Sequence, residues 1–148
     1  MSGFTIFIAN TIKVFHIFVI FFVIFTPITT NVLNYYLILH ILLCISLLVH
    51  WLANNNICSL SVFESKLRGI PYTESFSHQF VSPIYDISST SLSQISYFIT
   101  IIALLASIYK IYKNGILNRL YNIYKIGSKD GLPFVVIYNN SIKELFKN

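Results

Sequence analysis

The chain has 148 residues, of which 55% are hydrophobic and only 10% charged. A soluble domain carries roughly 25% charged residues, so this composition excludes an ordinary water-soluble globule. Ten basic residues against five acidic ones give a formal charge of +5, but no recognised nucleic-acid motif accompanies the excess, and a nucleic-acid partner is not expected.

The charges are placed unevenly. Between Lys13 and Glu64 fifty consecutive residues contain no Asp, Glu, Lys or Arg, and a second charge-free stretch runs from Ile87 to Tyr109. A bilayer core is about 30 Å thick and a helix rises about 1.5 Å per residue, so about 20 apolar residues cross it once. The first stretch has room for two crossings and the second for one. Lipid offers the backbone no hydrogen bonds, so the crossings are helices or a closed barrel. A barrel needs alternating apolar and polar residues. Val14 to Phe25 is apolar nearly all round and reads as helix. The expected fold is therefore all-α: a polytopic membrane protein with three transmembrane helices and short interfacial helices.

In chain order, the first span is expected over residues 7–26, with Lys13 snorkelling to the headgroups or facing another helix. The amino terminus lacks the basic region and small-x-small site of a cleaved signal peptide, so this segment is expected to stay as a span. Pro27 and Thr29-Thr30-Asn31 make a short turn, which predicts an antiparallel hairpin with a second span over 32–52. Tyr35, Tyr36 and Trp51 mark the ends of that span, because amphipathic rings favour the interface.

Residues 53–94 form a polar connection. Ser61-Val62-Phe63-Glu64 fits a capping box, in which Ser61 and Glu64 satisfy each other's amides. The helix so started is expected to stop at Arg68, since Gly69 suits the position after the last turn and Pro71 follows. Phe76, Phe80 and Val81 predict an apolar stripe on a second short helix, stopped near Pro83. Both pieces are expected in the interface or against the bundle.

The third span is expected over 95–112. Residues 1–112 then form one transmembrane domain and 113–148 a basic, amphipathic juxtamembrane tail. In the tail, Ile116, Leu117, Leu120, Ile123 and Tyr124 share one helical face, and Asn118, Arg119, Asn122 and Lys125 the other. Gly127 to Gly131 reads as a turn. Leu132 to Tyr138 reads as an interfacial strand or a docking segment, and the last ten residues as frayed.

Five basic residues, Lys110, Lys113, Arg119, Lys125 and Lys129, lie at or just after the end of the last span. By the positive-inside bias the tail lies on the cytoplasmic side, and anionic headgroups are its expected lipid partner. Three spans then put the amino terminus and the 53–94 connection on the other side. The sequon Asn139-Asn140-Ser141 falls on this cytoplasmic tail.

Candidate chemistry is sparse. His16, His40 and His50 lie in or near the first two spans, where an ionisable residue is costly and suggests a function. Two imidazoles from packed helices can hold a haem iron, so a haem- or quinone-binding redox role is one alternative. In a hairpin turning near residue 30, however, His16 falls between His40 and His50 in depth, and neither pair is matched for one haem. An interhelical hydrogen bond is the plainer role. A small oligomeric ion or proton channel lined by His40 or His50 is a further alternative. His78, near Glu74 and Asp86, lacks metal-ligand spacing, and no metal is expected. Cys44 and Cys58 are about 21 Å apart on a continuous helix, too far for a disulfide. Cys58 as a nucleophile needs a base, and His50 and His78 are the candidates. No Gly-rich phosphate loop, nucleophile elbow or zinc-protease helix occurs, so an enzyme is not the leading expectation.

The run from His50 to Gly69, HWLANNNICSLSVFESKLRG, resembles a family of small bacterial membrane proteins of unknown function. Its mark is Cys-Pro-Leu-Thr-x-x-Glu just after the second span, followed by Leu-Arg and Gly. Related-looking proteins occur in large DNA viruses of protists, with a similar Asn-rich lead-in. Cys58, Ser61, Glu64, Arg68 and Gly69 match the motif, with Ser59 in place of its proline and Ser61 in place of its threonine. His16 and His40 match the family's histidines in the first two spans, and Phe76 to Tyr85 loosely match an aromatic segment after the motif. The resemblance covers residues 14–110. It implies a bundle of three or four helices and no known reaction. The expectation is thus a structural or interaction component of a cellular or viral membrane, partnered by lipid and by copies of itself or by other membrane or capsid proteins.

Overall fold

The computed structural model describes residues 3–29, 34–71, 74 and 89–146. The His78 segment and the aromatic stretch Phe76–Tyr85 lie outside the described residues. Among the described residues there are six helices: α1 (Gly3–Phe25), α2 (Asn34–Ala53), α3 (Ser59–Arg68), α4 (Ser89–Lys113), α5 (Ile116–Lys129) and α6 (Phe134–Leu145). Three are long and apolar enough to cross a membrane: α1, α2 and, over Ser93–Lys113, α4. The chain is thus all-helical where described, and its apolar helices suit a lipid bilayer.

Outward-facing residues on these helices are large and apolar, among them Phe4, Phe7, Phe18 and Phe21 on α1. In water such a surface is unfavourable; in lipid it is the solvated face. The interior is small. One cluster joins Val23, Cys44 and Ala103, and a second joins Leu37, Ile111 and Ile116. The hairpin expectation for the first two spans needs refining. α1 and α2 touch lightly; the main partner of α2 is α4, and that of α1 is α3.

α3 begins three residues earlier than a Ser61 cap requires. Its N-cap is Cys58, in extended conformation with no side-chain capping bond. Ser61 lies inside the first turn and is buried, so the capping-box expectation is corrected. The reason is packing: Ser61, Glu64 and Ser65 form the buried face of α3, and a register that exposed Ser61 as a cap would forfeit it. The other end follows expectation. Gly69 adopts φ 65°, its N–H donates to Lys66 O, and Ile70 N–H donates to Ser65 O. These two bonds complete a Schellman motif after Arg68.

The carboxy-terminal region also departs from expectation. α5 runs through Gly127 to Lys129, and α6 occupies Phe134–Leu145. Leu132 to Tyr138 is therefore no strand, and most of the last ten residues are helical. Gly127 is buried, and a Cβ there would stand 2.6 Å from Ile137 Cγ1. That glycine is a close-approach point between α5 and α6. The pair docks on one end of the bundle. Ile116, Leu120 and Leu145 pack against Leu37 and Ile111, Phe146 stacks on Tyr35, and Arg119 pairs with Glu144 at 3.2 Å.

Candidate functional site

Among the buried polar residues of the spans, His40 is fully buried and meets the likewise buried Ser107. A helical carbonyl normally receives the amide four residues on. For Val23 that residue is Pro27, which has no N–H. His40 Nε2 lies 3.0 Å from Val23 O and donates in its place. Its Nδ1 lies 2.9 Å from Ser107 Oγ, whose hydroxyl donates to it. Cys44 Sγ sits 3.6 Å from the ring, and Phe22 packs on it with centroids 5.7 Å apart. One imidazole thus ties α1, α2 and α4 together. Both nitrogens are engaged, whereas a haem iron takes an unprotonated ring nitrogen.

His50 serves a different place. Its Nε2 accepts the Ser59 backbone N–H at 3.1 Å, one of the amides that a helix start leaves without a partner. Asn54 lies beside the same ring and donates to Ser59 Oγ at 3.2 Å. The turn between them uses Asn55 and Asn56 in left-handed conformation, φ 52° and 63°, which asparagine tolerates better than most residues. His50 therefore satisfies the first amide of α3.

His16 meets Cys58. Its Nε2 lies 3.9 Å from Cys58 Sγ, joining α1 to the start of α3. Burial by itself pushes the half-buried thiol up; the His16 imidazole, through its hydrogen bond and its charge, and hydrogen bonds from Ser61 outweigh it and bring Cys58 down to about 7. A thiol held there is partly thiolate at neutral pH, and the thiolate is the nucleophilic form. Further along α3, Arg68 Nε pairs with the buried Glu64 Oε1 at 2.8 Å, and Arg68 Nη2 donates to Asn10 Oδ1 at 2.8 Å.

The residues singled out from the sequence are thus distributed over three places. Cys58, Ser61, Glu64, Arg68 and Gly69 gather on α3 where it meets His16 and Asn10. His40 lies in the bundle interior and His50 at the α2–α3 turn. The partner of Cys58 is His16, not His50 as the sequence suggested; His78 lies outside the described residues. A sequence signal for this did exist: Asn10, Lys13 and His16 recur every three residues on one side of an otherwise apolar helix. Among the described residues no group of three or more His, Cys, Asp or Glu side chains converges as a metal site would. Both cysteines are free. No family model, no curated protein and no solved structure matches the chain.

Proposed function

We propose that this chain is a structural or interaction component of a membrane, cellular or viral, working through its helical packing and its folded carboxy-terminal hairpin. One observation carries the reading. The α5–α6 hairpin, docked on the end of the bundle, turns Leu117, Tyr121, Tyr124, Phe134, Val135 and Tyr138 outward alongside Lys125 and Lys129. Aromatic and basic residues together are the surface that interfacial lipid, or a protein partner lying in the interface, accepts. The positive-inside bias puts this hairpin on the cytoplasmic side. The resemblance of the His50–Gly69 run to small bacterial and viral membrane proteins supports the same reading, since it offers an architecture and no reaction.

A photocrosslinking residue at Tyr124 or Phe134, in the full chain in native-like membranes, tests it. Adducts to lipid or to a protein of discrete mass are expected at both positions. If neither position gave an adduct, the hairpin would not be the working surface.

A second reading rests on Cys58 beside His16: a reactive thiol just outside the second span. Its test is the pH dependence of Cys58 alkylation, given below.

A further inference from the structure

At the end of the bundle where α5 and α6 dock, a groove runs between the carboxy-terminal end of α1 and one face of α4. Its floor is Pro27, Ile28, Leu37 and Ala106. Its rim carries Lys110 and Lys113, one helical turn apart, with Tyr109 beside them. Lys110 Nζ donates to Thr29 O at 2.6 Å, which fixes its ammonium at the rim. No carboxylate lines the groove among the described residues. Below the rim, Ala106 is the apolar lining residue that α4 contributes, and Ile102 and Leu105, within about one turn of it on the same helix, are exposed.

Depth distinguishes the possible occupants. The rim lies at the end of the span Ser93–Lys113, the level of headgroups, and Ala106 lies about one turn further into that span. A free anion would use the lysines and leave the apolar floor unused. A phospholipid uses both, because its charge and its acyl chain are joined at this spacing. From this we infer that the groove holds an anionic phospholipid, with Lys110 and Lys113 at its phosphate and an acyl chain over Ala106. The inference rests on the reading of α4 as a membrane span and adds to the proposed function a lipid of defined charge and a place for it. It is separate from the exposed face of α5 and α6.

The test is native mass spectrometry of the delipidated full chain in mild detergent, offered phosphatidylglycerol or phosphatidylcholine with the same acyl chains. Phosphatidylglycerol is expected to be retained preferentially. Lys113→Gln should lower its retention about fivefold, the usual worth of one lysine at an anionic surface. Ala106→Phe fills the floor of the groove without changing charge and should lower retention of the same lipid. Lys125→Gln/Lys129→Gln removes two charges from α5 and should leave retention unchanged. Equal retention of the two lipids would overturn the inference. So would an equal loss in the α5 variant, or displacement of the lipid by glycerol phosphate at matched concentration, which would mean a free-anion site. A carbonate wash of membranes holding the intact chain separates this from the broader reading: a chain that stays in the membrane but shows no lipid preference disproves the groove alone.

Discussion

His40 replaces the amide that Pro27 does not have. The Val23 carbonyl, left open by the proline, receives His40 Nε2 at 3.0 Å across the helix interface. A buried carbonyl without a partner costs about 1–3 kcal/mol, so the break in α1 and the histidine in α2 are two halves of one arrangement. Ser107 completes it from α4.

That pairing predicts coupling. His40→Leu should destabilise the bundle by about 1–2 kcal/mol, since hydrogen bonds between membrane helices average about 0.6 and reach about 1.7 kcal/mol. Pro27→Ala supplies the missing N–H. In the Pro27→Ala background, His40→Leu should therefore cost less. Reversible unfolding of the four proteins in bicelles checks this. Strictly additive effects would mean that His40 acts through volume alone.

Cys58 should alkylate with a pH midpoint near 7, not near the ordinary 9 of a free thiol. At pH 7 about half of it is thiolate, against roughly one part in a hundred for an unshifted thiol. His16→Gln should move the midpoint upward and slow the reaction at pH 7 by about tenfold or more. The stability term has a definite sign. A thiol whose folded value lies below its unfolded one stabilises the fold fully above about pH 9, and this contribution is lost as pH falls through about 7. Peptide mapping of Cys58 labelling across this range is the measurement; a midpoint unmoved by His16→Gln would dissociate the pair.

Ser61→Ala should leave the start of α3 intact, because Ser61 is not its cap. It should instead raise the Cys58 midpoint, by removing a hydroxyl that hydrogen-bonds the thiol. Cys58→Ser, by contrast, places a capping oxygen at the N-cap and should strengthen the first turn by about 1 kcal/mol. Hydrogen exchange of the Ser59 to Val62 amides separates the two. Loss of protection there in Ser61→Ala would restore the capping-box role.

Gly127→Ala should loosen the α5–α6 hairpin. The new Cβ would meet Ile137 Cγ1 at 2.6 Å, and overpacking of this kind costs about 1–3 kcal/mol. That exceeds the gain of about 1 kcal/mol that alanine brings to a helix interior. Adding Ile137→Ala removes the clash and should restore hairpin packing. Limited proteolysis in the Asp130–Pro133 turn reports the opening. A Gly127→Ala protein more resistant than wild type would show that the two helices are not held at this contact.

The sequence by itself determined the medium and the spans. A stretch of fifty residues without charge admits few alternatives to lipid, and backbone satisfaction in lipid makes each crossing a helix. It also determined the stop of α3, because a glycine followed by proline two residues on is a local signal. The start of α3 was misjudged because Ser-x-x-Glu is a local pattern too, and here burial of Ser61 and Glu64 against α1 outweighed it. The helical α6 escaped detection because what orders it is tertiary: close approach to Gly127 on α5, and packing of Leu145 and Phe146 on the sequence-distant Leu37 and Tyr35 of α2. The candidate chemistry was even less legible. That His40 answers Pro27, that His50 holds the first amide of α3 and that His16 meets Cys58 all depend on which helix faces which. Periodicity shows that a side chain lies on a face; only the tertiary fold decides what that face touches.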